Sequence, residues 1–387
     1  MASTITSQSK SPKQSNIEST HNEVTQYYYP DPVSQQVIQQ WLFMDLLPWQ
    51  QATWQYLTTH IDALPHAMLF AGNAGTGKRA FVYRFVAWAL CENQRDNVQG
   101  VATACGQCQS CQWLIANTHP DLYQIPTPTV ARDASPKPKA NNALVAQAPT
   151  HQSSYSIKID EIRELQPFVT QSSGGLRIVV IHQADAMTLA ASNALLKTLE
   201  EPAENVLMLL ISDSPSQLLP TIRSRLQSFS VSHITPDQSM QAMQQLLPNT
   251  DTATLQQVSE LSGYAPFLAL QMLNSEWYQH RQTWINSFQA VRSGQRTPVQ
   301  ASNYWQKTLT LTDFLYLSQA LLVPLGQFAV GISASAHDLD FGKLQPPPTL
   351  KQISQLQQVI DQIWQDRQQH IQDKLCYDKI FSTMLDC

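Results

Sequence analysis

Apolar and polar positions alternate differently in the front and rear of this chain. In the front, short apolar runs stand at 66–71 (HAMLFA), 121–125 (DLYQI), 178–181 (IVVI) and 206–211 (VLMLLI), and a last one, LQSFSV, follows Arg225. Successive apolar residues over such lengths mark strands covered on both faces, as in a parallel sheet. Between the runs the period becomes helical. FVYRFVAWALC is apolar throughout, and IKIDEIRELQPFV puts Ile159, Ile162, Leu165 and Phe168 on one stripe, read as core. Residues 188–201 place Leu195, Leu196 and Leu199 on one face, and Pro202 stops the helix. Strand, helix and strand at this spacing predict a right-handed βαβ unit. Upstream, Trp41, Leu42, Leu46, Leu47, Trp49 and Trp54 recur at helical spacing over 37–56.

From Thr235 onward only helical patterns follow. Residues 233–277 (with LSGYAPFLALQML) are expected to form a small helical domain, and 278–387 to carry longer helices. In LKQISQLQQVIDQIW, Leu356, Val359, Ile360, Ile363 and Trp364 make one stripe. Such a stripe is normally bundle core and serves equally as a surface for other subunits. Two stretches lack any apolar period. Residues 1–35 are rich in Ser, Thr and Gln, and about 126–154 in Pro, Ala, Asn, Gln and Ser. Both are expected to be disordered, as a tail and an insertion.

A length of 387 residues allows two or three domains with a sizeable core. With a net charge of −5, the surface as a whole does not attract nucleic acid, so any DNA contact is local or shared with partners. No N-terminal apolar run and no membrane-length apolar stretch occur, which leads us to expect a cytoplasmic protein with reduced thiols.

Candidate chemistry begins directly after HAMLFA. GNAGTGKR matches seven of the eight positions of G-x-x-x-x-G-K-[ST], with Gly72, Gly75, Gly77 and Lys78 as the nucleotide-binding candidates. Glycines let backbone N–H groups turn inward around phosphates, and the lysine adds a point charge. The eighth position should hold magnesium through a hydroxyl, but it is Arg79. Strand, loop and helix make a P-loop fold the expectation and leave open whether ATP or ADP is held. At the end of the strand 178–181, a hydrolysing P-loop protein carries an Asp for the metal and often a Glu for water. Here His182 and Gln183 stand there, and Asp185, beyond the strand end, is read as a cap for the following helix.

Cys91, Cys105, Cys108 and Cys111 form a second cluster. C-x2-C-x2-C with a fourth Cys fourteen positions upstream can close a tetrahedral thiolate site, so structural zinc is expected, with four thiolates leaving no place for water. An iron–sulfur cluster is the alternative, although the C-x3-C-P continuation is missing. Free thiols suit the regular spacing poorly, and disulfides suit the compartment poorly. Cys376 and Cys387 are read as ordinary thiols.

GNAGTGK, the four cysteines followed by THPDLY, IKIDEIRELQ, SNALLKTLEEP and TIRSR together resemble the delta′ class of bacterial DNA polymerase III clamp-loader subunits, within the AAA+ family. The likeness covers roughly 40–275 by motif. It implies an α/β fold: a P-loop AAA+ parallel-sheet domain over 36–232 with a zinc module (91–111), then the helical lid and a C-terminal all-α collar. It further implies a non-hydrolysing stator within the DNA-directed DNA polymerase holoenzyme, whose nucleotidyltransferase activity belongs to the complex. Its implied partners are gamma/tau motor subunits and the delta subunit, and through them the sliding clamp and primer-template DNA, with no membrane. Ser224 and Arg225 match the family's S-R-C motif, with Leu226 replacing Cys. The resemblance gives Arg225 the part of an arginine finger reaching a neighbour's ATP, with Arg223 as the alternative. A gamma/tau-type ATPase motor is the rival reading. A motor should keep the P-loop hydroxyl and the Asp-Glu pair, which Arg79, His182 and Gln183 replace.

Overall fold

The computed structural model describes residues 35–96, 100–126, 156–170, 174–332, 338–366 and 372–386. Apart from Gln35 and Pro126, the expected disordered tail and insertion lie outside the described residues, as does Cys387.

Five parallel strands form the central sheet. Along the chain, β1 is Ala67–Ala71, β2 Arg95–Asp96, β3 Ala102–Thr103, β4 Leu122–Ile125, β5 Arg177–Ile181, β6 Val206–Ser212 and β7 Gln227–Ser230. The sheet runs β4-β5-β6-β1-β7, and β2 and β3 form a separate antiparallel pair. Every residue of β5 and β6 is buried, as expected for strands covered on both faces.

Helices flank the sheet: α1 (Gln35–Leu42), α2 (Gln51–Thr59), α3 (Lys78–Ala89), α4 (Gln109–Ile115), α5 (Ile159–Thr170), α6 (Leu189–Glu200) and the single turn α7 (Pro220–Arg223). The upstream helical stretch is therefore two helices, separated by a 3-10 turn at Pro48–Gln50. On one side of the sheet, α3 packs with α1 and α2 through Trp41, Trp54, Phe81, Phe85 and Trp88. The Trp54 ring meets Phe81, Phe85 and Trp88 edge-on, a favoured aromatic geometry. On the other side lie α5 and α6, through Ile162, Leu165, Leu195 and Leu199. In α5 the fully buried stripe runs Ile162, Leu165, Val169, leaving Ile159 and Phe168 half-buried at its margins.

The rear consists of α8 (Pro236–Leu246), α9 (Thr252–Leu261), α10 (Pro266–Asn274), α11 (Arg281–Arg292), α12 (Pro298–Thr308), α13 (Leu311–Ala329), α14 (Leu350–Asp366) and α15 (Asp373–Asp386). Their caps follow the sequence: Thr235 and Thr297 each open a helix with a reciprocal capping box. One apolar cluster runs through all of them and takes in Leu47 and Trp49 from the front of the chain. In α14, Leu356, Ile360 and Ile363 are buried in this cluster, while Val359 and Trp364 are half-buried against it. The stripe is thus core within this chain. Among the described residues, no single helix is long and apolar enough to cross a membrane.

Candidate functional site

Parallel strands carry their C-terminal ends to one edge, where ligands of such sheets bind. β1 pairs with β6 so that Ala71 stands opposite Ser212, and Gly72 N–H donates to Ser212 O. The glycine loop, the residues after β6 and the residues after β5 therefore meet at one edge. Gly75 and Gly77 have φ of +73° and +85°, a conformation that L side chains rarely adopt. The loop turns here into the N-terminus of α3.

Around this loop the structure is closely filled. A Cβ on Gly75 would lie 2.7 Å from the backbone nitrogen of Leu268 in the first turn of α10, and Phe267 N–H donates to Gly75 O. Trp49 Nε1 donates to Thr76 O and Gln50 Nε2 to Gly77 O, both at 3.2 Å. α10 and the upstream segment thus both grip the loop.

Lys78 is only 2 % exposed. Its ammonium is held by Gly72 O at 2.8 Å, Asn73 O at 2.6 Å and Asp213 Oδ1 at 2.5 Å. Three oxygens meet the three N–H donors of the lysine. Burial lowers its pKa below the ordinary lysine value, and the Asp213 charge opposes that shift.

Arg79, at the expected magnesium position, is buried, and its charge reaches Lys78, Tyr83 and His182. At the end of β5, His182 is buried, stacks on the Tyr83 ring and shares a 2.6 Å hydrogen bond from its Nε2 to Tyr83 Oη. Tyr83 Oη also donates to Gln124 Oε1, and Gln124 Nε2 donates to Asn117 Oδ1. Desolvation first, then the Arg79 charge, holds His182 down at about 3, so it is a neutral ring in a polar chain and no metal-binding carboxylate.

Asp185 does not cap the following helix. Thr188 does, accepting from Ala191 N at 3.2 Å, because the 3-10 turn Ala184–Ala186 intervenes and directs Asp185 elsewhere. It lies against Ser212 and Asp213, largely buried, and its pKa is raised by desolvation. Asp213 and Asp185 are thus the site residues that sequence reasoning missed. The available signal was an acidic residue directly after an apolar strand.

The four cysteines converge as expected. Cys91 follows α3, Cys108 is the N-cap of α4, and Cys111 lies inside it. All four are buried and unpaired by disulfides, with sulfur atoms within 4.8 Å of one another. Sulfur separations of 3.9 Å (Cys91–Cys108, Cys105–Cys111) and 3.7 Å (Cys91–Cys111) match the edge of a tetrahedron with ~2.3 Å metal–thiolate bonds, about 3.8 Å. Backbone N–H groups of Gln107 and Cys108 donate to the Cys105 sulfur and draw its thiol down to about 6, favouring the thiolate that a metal needs. The cluster can hold one tetrahedral metal ion.

Arg225 lies apart from both sites, after α7. It is half-exposed and braced by Glu200 Oε1 at 2.5 Å, by Thr221 O at 2.9 Å and by Ser224 Oγ at 3.4 Å. Glu200 is the last residue of α6, so the NALLKTLEEP helix positions the guanidinium. Leu226 is buried and Arg223 exposed.

A family model described as "DNA polymerase III, delta subunit" matches residues 49–235. The DNA polymerase III subunit delta′ of Pseudomonas aeruginosa is 36% identical over 227 residues, 58% of this chain and 60% of that protein. Over this P-loop half, the chain is similar to the DNA polymerase III delta′ subunits. The delta′ subunit of Escherichia coli is 28% identical over 242 residues, 61% of this chain and 63% of that protein. The chain therefore spans under two thirds of the length of these two delta′ relatives. The tau subunit of Bacillus subtilis is 30% identical over 172 residues, 44% of this chain but 25% of that protein.

Two expected outcomes follow from this geometry. Elemental analysis of the purified protein should find about one zinc per chain, and Cys108→Ser should lose the metal and lower the melting temperature. His182 has a folded pKa below its unfolded value of ~6.5, so its contribution to stability is complete above pH 6.5 and is lost as pH falls toward 3. By linkage the loss reaches about 2 kcal/mol at pH 5. Urea unfolding at pH 7 and pH 5 should show a smaller drop for His182→Gln than for the wild type.

Proposed function

We propose that this protein is a delta′-type stator of the DNA polymerase III clamp loader, a subunit that assists loading of the sliding clamp onto primer-template DNA without hydrolysing ATP itself. The observation that carries this reading is the state of the two ends of the α6 unit. At one end, the positions that should handle magnesium and water hold Arg79, His182 and Gln183, and the P-loop lysine is occupied by Asp213. At the other, Arg225 lies at the surface, braced by Glu200, which supports a role toward a neighbouring subunit.

In this reading Arg225 enters the nucleotide site of an adjacent gamma/tau motor and stabilises charge developing on the γ-phosphate. The cysteine cluster holds structural zinc, which ties the turn after β3 and α4 to the end of α3. Residues 36–232, 233–277 and 278–387 act as AAA+ domain, lid and collar. The shared apolar core of the last two supports a rigid coupling between lid and collar. Partners are gamma/tau and delta, and the place of work is the bacterial cytoplasm. A gamma/tau-type motor is the alternative function, and the tau match supports common ancestry with it. The metal-site departures disfavour it.

The test is ATP hydrolysis by the reconstituted complex with clamp and primed DNA. Arg225→Ala should co-elute with its partners as the wild type does, yet silence the motor site it serves, since an arginine finger is worth ~10³–10⁵ in rate there. Arg223→Ala should leave hydrolysis unchanged. Unchanged ATPase in Arg225→Ala would remove that residue from the mechanism.

A further inference from the structure

A P-loop binds phosphate with two kinds of donor, the inward backbone N–H groups and the lysine ammonium. Here the loop keeps its strand–turn–helix course, with Gly75 and Gly77 at positive φ and Lys78 opening α3. The ammonium is saturated by Gly72 O, Asn73 O and the Asp213 carboxylate. Two of those oxygens are neutral and belong to the loop itself. The third is an anion, brought there because β1 and β6 pair with Ala71 opposite Ser212, which sets Asp213 beside the mouth of the loop.

We propose that Asp213 is the resident anion of this P-loop: its carboxylate takes the Lys78 donor that an outer phosphate would use, and removing it creates a binding site for the phosphate chain of a nucleoside triphosphate. The exclusion follows from charge and geometry together. A polyphosphate entering the loop would meet the Asp213 charge at close range and would find no free N–H on Lys78. Asp185, against Asp213 and partly buried, adds a second carboxylate on the same side. Without Asp213, a buried ammonium would face the glycine loop with no counter-anion. That is an arrangement which recruits one. Arg79 keeps a cation close by, so binding in the variant needs no magnesium.

The inference rests on reading this P-loop as non-hydrolysing, but it fails separately from that reading. Arg225 can serve a neighbour's site whether or not Asp213 excludes phosphate here. The experiment is calorimetric titration of the full chain, in EDTA, with inorganic triphosphate and, in a second arm, ATP. Wild type, Asp213→Ala and the shape-preserving Asp213→Asn are compared, each checked for a cooperative thermal transition. A gain of at least tenfold in affinity for either polyanion in a folded Asp213 variant, abolished by adding Lys78→Met, supports the proposal. Equal affinity in wild type and variants, or no gain with either polyanion, overturns it. A measurement on the wild type alone guards against variants that fail to fold. The Lys78 ammonium should give a slowly exchanging NMR signal without any ligand, and exchange as fast as that of surface lysines would contradict the proposal.

Discussion

β1 and β6 lie side by side in parallel, with Ala71 opposite Ser212, and the chemistry of this protein is arranged by that register. It sends the glycine loop and Asp213 out of the sheet together. The next pairing, β5 with β6, adds His182 and Asp185 to the same edge. A parallel sheet needs long crossovers, and here the crossover between β5 and β6 is α6, whose last residue, Glu200, braces Arg225. One unit therefore sets both the interior of the P-loop site and the exposed arginine beyond it.

Charge is balanced within the interior site. Lys78 and Arg79 are both buried cations. Their neighbours include Asp213, Asp185 and the neutral His182 ring. Burying cations is costly unless they are paired. Here the chain supplies its own counter-charges, and α10 rests on the loop through Phe267 and Leu268. Arg225 differs in each respect: it is half-exposed, and its single carboxylate partner sits at a helix end near solvent.

Much of this was legible in the sequence because the signals are local. Buried parallel strands announce themselves as continuous apolar runs, the loop by its glycines, and the thiolate site by spacing. The βαβ unit and the four converging sulfurs were found where the pattern placed them. What was not legible depends on register. Nothing near Asp213 in sequence says that it faces Lys78, since their meeting is set by strand pairing across 135 residues of chain. Asp185 was misread for a related reason: a 3-10 turn shifts the cap to Thr188, and no apolar period signals such a turn. For the α14 stripe, sequence alone left core and subunit surface open, and the tertiary packing settled it as core.

The central claim is that this chain has given up its own hydrolysis while keeping an arginine for a neighbour. It is tested most directly by steady-state ATPase measurements on the purified chain alone with magnesium. The account predicts turnover indistinguishable from that of a Lys78→Ala variant. Magnesium-dependent hydrolysis by the wild type that Lys78→Ala abolishes would contradict it.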